Sequence, residues 1–280
     1  MDNRPTAILC PNCRKLVNAD EQRCPYCGLS HPGAGWRRYL SGLGRFDAAN
    51  AYTYLLYLNV GMYVLSLLLS PSRVGVIPNP LTFLSPSSQS LFLLGSTGTI
   101  PIDQAGRWWT LVSANYLHGG VLHIFFNMAA LRQLAPLVLR EYGLNRSMSI
   151  YTLGGVAGFA VSYLAGIPLT IGASAALCAL IGALLYYGRD RGGTYGQAIF
   201  RTVWSWALGI LLFGFLIPGI NNWAHGGGMA AGFLLAAGLG YREKVRESSL
   251  HRGLATACAV ATIAALGWGV FGAVAYRLFS

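Results

Sequence analysis

Two stretches decide the fold: IGASAALCALIG at residues 171–182 and NWAHGGGMAAG at residues 222–232. Each is apolar, rich in small residues, and carries one chemically able side chain near its start, Ser174 in the first and His225 in the second. Ser174, Cys178 and Gly182 recur every four residues and so share one helix face, as do Gly228, Gly232, Ala236 and Gly240. A stripe of small residues lets two helices approach backbone to backbone. If the two stripes meet, Ser174 and His225 come within hydrogen-bond reach at similar depth.

The rest of the chain supports a bilayer setting. Of its 280 residues, 54% are hydrophobic and only 10% charged, and the mean hydropathy is +0.48. A soluble domain carries roughly 25% charged residues, so this composition excludes an ordinary water-soluble surface. Seven apolar segments follow residue 50, over 51–70, 119–140, 148–167, 172–188, 199–217, 224–241 and 254–276. Each is near the ~20 residues that a spanning helix needs. Their Gly and Pro residues are tolerated in lipid because neighbouring helices satisfy freed backbone groups. The expected fold class is an all-α polytopic membrane protein. The first fifty residues are polar and hold four cysteines, so the first apolar segment lies too far in for an ordinary signal sequence.

The formal net charge of +11 invites a nucleic-acid reading, but the placement of the charges argues otherwise. With a cytoplasmic N-terminus, sixteen of the twenty Lys and Arg residues fall in the N-terminal region or the inner loops, among them Arg140, Arg146, Arg189, Arg191, Arg242 and Lys244. That is the positive-inside pattern. No nucleic-acid partner is expected, and the expected location is a bacterial inner membrane with the C-terminus outside. Residues 32–50 read as a basic linker, amphipathic enough to lie on the membrane surface. Residues 71–118 form a long, partly apolar outer loop, which is expected to have structure of its own. Arg132 falls within the second apolar segment and is expected to pack on a loop or reach inward along the surface.

Polar residues inside spans are costly and therefore informative. The second segment opens HGGVLHIFFN, placing His123 and Asn127 on one helix face and His118 at the outer mouth. A serine becomes a nucleophile when a base takes its proton, and histidine is the usual base. A carboxylate often orients that histidine. Here elimination leaves none nearby, because Asp2, Asp20, Glu21, Asp47, Glu141, Asp190, Glu243 and Glu247 all fall on the cytoplasmic side. Only Asp103 lies outside, in the long loop. Ser174 and His225 therefore read as a catalytic dyad, with His123 and Asn127 as donors to an oxyanion.

At the N-terminus, CPNC at 10–13 and CPYCG at 24–28 form two CxxC knuckles ten residues apart. Cys10, Cys13, Cys24 and Cys27 in that spacing point to a structural zinc ribbon, and a cytoplasmic location argues against disulfides. Cys178 and Cys258 lie alone in apolar runs, where cysteine behaves as a small hydrophobe.

The chain resembles the rhomboid family of intramembrane serine proteases. HGGVLHIFFN, GASA and AHGGGMAAG carry the resemblance, in order and at matching spacing, over roughly residues 45–245. It implies a six-helix bundle at 51–245 and an added seventh transmembrane helix within 246–280, preceded here by the ribbon at 1–31. It implies Ser174 as nucleophile, His225 as base, oxyanion contacts from His123, Asn127 and the Ser174 N–H, and His118 in support. No cofactor is needed for catalysis, and the implied partners are transmembrane substrates in the lipid bilayer. A cytoplasmic protein partner for the ribbon is a further expectation. Three positions depart from the family pattern: Ala175 replaces a glycine, Cys178 an aromatic residue, and Thr110 an arginine after Trp109. The first two support an alternative, a catalytically weak or inactive rhomboid-like protein that binds membrane-protein clients. A transporter would show internal repeats of the spans, and none is visible.

Overall fold

The computed structural model describes residues 7–10, 15–33, 51–70, 83–217 and 219–279. The chain divides into two units, Met1–Asn50 and Ala51–Ser280. In the first, β1 (Ala7–Leu9) and β2 (Leu16–Asn18) pair antiparallel, with Ile8 opposite Val17 and Leu9 opposite Leu16. Its core is Cys10, Val17 and Cys24, flanked by Ile8, Cys27 and Leu29. So few apolar side chains cannot offset the entropy of ordering the segment. The linker expected at 32–50 lies, from residue 34 on, outside the described residues.

The second unit is all helical. In chain order it contains α1 (Ala51–Leu68), α2 (Ser88–Leu94), α3 (Thr99–Ala105), α4 (Thr110–Ser113) and a 3-10 turn (Ala114–Tyr116). There follow α5 (Val121–Tyr142), α6 (Leu144–Leu164), α7 (Ser174–Arg191), α8 (Gly193–Leu216), α9 (Asn222–Leu239) and α10 (Ser249–Phe279). All seven expected apolar segments form helices, and the described part of the long outer loop carries α2, α3 and α4. Among the described residues, α5, α6, α8 and α10 are long and apolar enough to cross a membrane, and Tyr52–Leu68 is a shorter apolar helix. Two helices fall outside that class for reasons of chemistry. The α7 helix ends on Arg189, Asp190 and Arg191, and α9 carries Asn222, His225 and five glycines.

Some boundaries differ from the sequence expectation. Ser174 is the first residue of α7 and does not sit a turn inside it. The small-residue stripe of α9 stops at Ala236, because Gly240 is the C-cap, with φ +66°. Arg132 is exposed on α5.

The α7 helix is the centre of the unit. Thirteen of its 18 residues are buried, on all sides, the pattern of a helix enclosed by others. Its closest neighbour is α9. A methyl added to Gly228 would fall 2.3 Å from the carbonyl oxygen of Ala175, and one added to Gly232 would fall 1.9 Å from that of Ala179. The expected stripe therefore does meet α7, through Ala175, Ala179 and Gly182, and a methyl added to Gly182 would fall 1.9 Å from the Met229 carbonyl oxygen. On the third side, α6 brings Gly158 to within a methyl's reach of the Ala224 carbonyl (2.6 Å) and the Ala175 methyl (3.2 Å).

The end of the bundle farthest from Ser174 gathers the charges. Arg146, 1% exposed, donates to the carbonyls of Tyr142, Leu239 and Val245. Lys244 pairs with Asp190, which raises the pKa of the ammonium, and Arg191 pairs with Glu243. Glu141 accepts from Arg140 and Tyr195. These charged groups lie at the ends of α5, α6 and α7 and in the turn after α9.

Replacing Gly232 with alanine would drive a methyl into the Ala179 carbonyl. The expected cost is about 1–3 kcal/mol from overpacking, read as a lowered Tm of the protein in detergent. Gly238→Ala on the same helix meets nothing within 4 Å and serves as the neutral comparison.

Candidate active site

The close approach of α7 and α9 brings the two candidate residues together: His225 Nε2 lies 2.7 Å from Ser174 Oγ. His225 is 8% exposed, and its Nδ1 is buried with no hydrogen-bond partner among the described residues. Among the described residues no carboxylate orients the ring. Asp103 is engaged elsewhere, accepting from the Tyr163 hydroxyl at 2.8 Å.

Because Ser174 opens α7, its backbone N–H has no carbonyl one turn earlier to bond. Beside it, Gly172 has φ +129°, a conformation that favours glycine. A methyl on Gly172 would lie 2.7 Å from His123 Nε2 and 3.6 Å from Ser174 Oγ, so both groups border the same small space. The Gly119 N–H donates to His123 Nδ1 at 3.3 Å. That leaves Nε2 to carry the proton of the neutral ring and to point a donor at this space. His118 is fully buried and packs edge-to-face on His123, with centroids 5.1 Å apart. Asn127 is buried on the same face, but its amide N–H₂ donates to the His123 carbonyl at 2.8 Å. In this geometry Asn127 steadies the α5 backbone at His123.

The loops around the site are laced together. Thr97 and Thr170 exchange backbone hydrogen bonds of 3.0 and 2.7 Å, Thr99 N–H reaches the Ile167 carbonyl, and Gly172 N–H donates to the Ala114 carbonyl at 2.9 Å. Sequence reasoning missed Asn221. Its Oδ1 caps α9 by accepting from the Ala224 N–H, and its Nδ2 donates to Ser162 Oγ at 2.6 Å and Thr170 Oγ1 at 3.0 Å. One side chain thus ties the helix of His225 to α6 and to the loop four residues before Ser174. The signal was available, since an asparagine just ahead of an apolar helical run is an N-cap signature.

Two of the three departures from the family pattern have a local account. The Ala175 methyl is enclosed with Ala114, Phe159 and Ala224, in space left by Gly158. An arginine is present beside Trp109 after all: Arg107, two positions earlier, sets its guanidinium 4.8 Å from the Trp109 ring centroid and 4.6 Å from that of Phe92. Cys178 is fully buried, and no aromatic ring packs on His225 among the described residues. Cys258 is buried as well, in keeping with its apolar setting.

In the N-terminal unit, the Sγ atoms of Cys10, Cys24 and Cys27 lie within 4.8 Å of one another, with Cys10 and Cys27 3.7 Å apart. Tetrahedral thiolates at ~2.3 Å from zinc sit roughly 3.8 Å from each other. The knuckles are turned by hydrogen bonds from Cys10 N–H to Lys15 O and from Gly28 N–H to Cys24 O. This cluster could hold a metal ion. Cys13, the fourth expected ligand, lies outside the described residues.

Replacing Asn221 with alanine removes a cap and two tethers. The expected loss is about 1–2 kcal/mol, measured as a fall in Tm. Asn221→Ser, which keeps the cap but is too short for the tethers, should recover part of it.

Residues 105–242 match the family model for the rhomboid domain, a span that contains Ser174, His225, His118, His123 and Asn127. The Rhomboid protease GluP of Bacillus subtilis (strain 168) is 33% identical over 156 residues, covering 56% of this chain and 31% of that protein. RHOMBOID-like protein 4 of Arabidopsis thaliana is 33% identical over 159 residues, covering 56% and 40%. Rhomboid-like protease 5 of Toxoplasma gondii is 29% identical over 164 residues, covering 56% and 19%. The chain thus spans well under two thirds of the length of these relatives. With a rhomboid domain over residues 105–242 and its long apolar helices, the chain is a multi-pass integral membrane protein.

Proposed function

We propose that this chain is an intramembrane serine endopeptidase that cuts transmembrane protein substrates near the outer membrane face. The observation that carries the reading is the 2.7 Å contact between Ser174 Oγ and His225 Nε2, within a domain shared with proteins named as rhomboid proteases. His225 takes the Ser174 proton as Oγ attacks the scissile carbonyl. The resulting oxyanion lies in the space between the Ser174 N–H and His123 Nε2, with Asn127 holding His123 in place. His225 then gives its proton to the leaving amine, and an acyl group remains on Ser174. Water, deprotonated by the same histidine, releases the acyl group and restores the enzyme. The site stands at the end of the bundle opposite the cluster of Arg140, Glu141, Arg146, Asp190, Arg191 and Lys244. Positive-inside charge placement makes that the outer end, with the N-terminus in the cytoplasm of a bacterial cell. Residues 51–245 form the six-span core in this reading, and 246–280 add the seventh span. The room made for Ala175 by Gly158 favours an active enzyme over a client-binding relative that has lost activity.

A fluorophosphonate probe tests the nucleophile directly. The wild-type protein should be labelled and should cleave a transmembrane model substrate, while Ser174→Ala and His225→Ala should lose both. His123→Ala should retain folding but lose about 10²–10³ in rate, the usual cost of one oxyanion donor. Unchanged cleavage in Ser174→Ala would remove this reading and leave the client-binding one.

The same proposal gives the N-terminal unit a structural zinc ion held by Cys10, Cys13, Cys24 and Cys27, and a cytoplasmic protein as partner. Elemental analysis of the purified protein should find about one zinc per chain. Cys24→Ser should remove it and unfold the unit, leaving the labelling of Ser174 intact.

A further inference from the structure

A cleft of about 430 Å³ opens between the outer-loop helices and α10. Its lining includes Leu93, Arg107, Trp109, Trp268, Gly272 and Tyr276. Trp268, Gly272 and Tyr276 are four residues apart and form one strip of α10, toward the end nearer Ser174. The strip continues into lipid-facing surface, since Trp268 is 63% and Phe271 66% exposed on a helix long enough to span a membrane.

The cation in this cleft is unusual. Arg107 Nη1 donates to the Phe92 carbonyl at 2.8 Å and Nη2 to the Leu93 carbonyl at 3.0 Å. The planar group lies between the Phe92 and Trp109 rings. A guanidinium has five N–H donors, so three remain. Among the described residues no carboxylate is within ion-pair distance, and the one acid of this loop, Asp103, is held by Tyr163. Half-buried, Arg107 has lost much of its hydration without gaining a counter-charge, and that desolvation lowers its pKa. A fixed, stacked guanidinium with spare parallel donors matches the geometry of a phosphate. Tryptophan and tyrosine beside it belong at the level of lipid headgroups.

We propose that this cleft binds the phosphodiester of a membrane phospholipid, with Arg107 holding the phosphate and the acyl chains running down the exposed face of α10 past Trp268 and Phe271. The bound lipid would brace α10 against the loop that covers the candidate active site. The proposal does not depend on proteolysis.

Native mass spectrometry of the full chain in non-ionic detergent tests it, with dioleoyl-phosphatidylglycerol, dioleoylglycerol and inorganic phosphate as separate additives. The wild type should retain one phosphatidylglycerol per chain, retain dioleoylglycerol far less, and keep the lipid in millimolar phosphate. Arg107→Gln should weaken retention by about tenfold, the order expected for one charge-assisted contact. Gly272→Leu fills the cleft with a side chain that meets nothing within 4 Å at its Cβ, so it should weaken retention as much at an unchanged Tm. It decides the question even if Arg107→Gln fails to fold. Equal retention by the wild type and Gly272→Leu would overturn the proposal, as would equal retention of dioleoylglycerol. Displacement of the lipid by inorganic phosphate would assign the site to the free anion instead.

Discussion

The backbone-to-backbone contact between α7 and α9 is the constraint on which the rest depends. Packed helices ordinarily keep their axes 8–10 Å apart, a distance set by the side chains between them. Here Gly228 rests on the Ala175 carbonyl and Gly232 on the Ala179 carbonyl, with no side chain intervening. Only at that separation can a side chain as short as serine meet a histidine across the gap. The Ser174–His225 contact is thus a by-product of how tightly two helices pack, and in lipid such packing is a main source of helix association. Stability and geometry are set by the same atoms.

The position of Ser174 at the first residue of α7 matters in a second way. The N-terminus of a helix holds unpaired N–H groups and a partial positive charge. Negative charge forming there meets donors already in place, with little reorganisation required. The lacing of Thr97 to Thr170, Gly172 to Ala114 and Asn221 to Thr170 holds this terminus from outside the helix. The loop that delivers Ser174 is therefore anchored on both sides, although it belongs to no regular element. Thr97, Thr110 and Ser113 are buried in the preceding loop with their hydroxyls paired, Thr110 with Thr97 and the Arg107 carbonyl and Ser113 with the Gly95 carbonyl.

Much of this was legible in the sequence. The seven helices followed from apolar segment lengths, because the bilayer leaves the backbone few alternatives. The pairing of the two small-residue stripes followed from four-residue spacing. The face of α7 that meets α9 was legible in part: Gly182 does meet α9, but the other contacts come from Ala175 and Ala179, because spacing alone does not say which of two adjacent small residues points at the partner. Gly240 was misplaced because a terminal glycine fits a stripe and a C-cap equally well. The tethers of Asn221 and the stacking of Arg107 on Trp109 were hidden for a different reason. The tethers of Asn221 join residues more than fifty positions apart, and the Arg107 stacking depends on how the loop folds Phe92 back over it, so a one-dimensional pattern carries no signal for either.

The seventh helix has a consequence for how the molecule is assembled. Gly269 packs on the Leu94 carbonyl, Tyr116 faces Thr262 at 3.4 Å, Gln89 reaches Tyr276, and Arg277 donates to the Leu69 carbonyl. Each of these contacts closes a loop of well over a hundred residues. Helices enter the membrane in the order in which they are made, so the segment between α1 and α5 has no final resting place until α10 has followed it. The outer loop is early in the chain and late in the fold, and its settling marks the completion of the whole bundle.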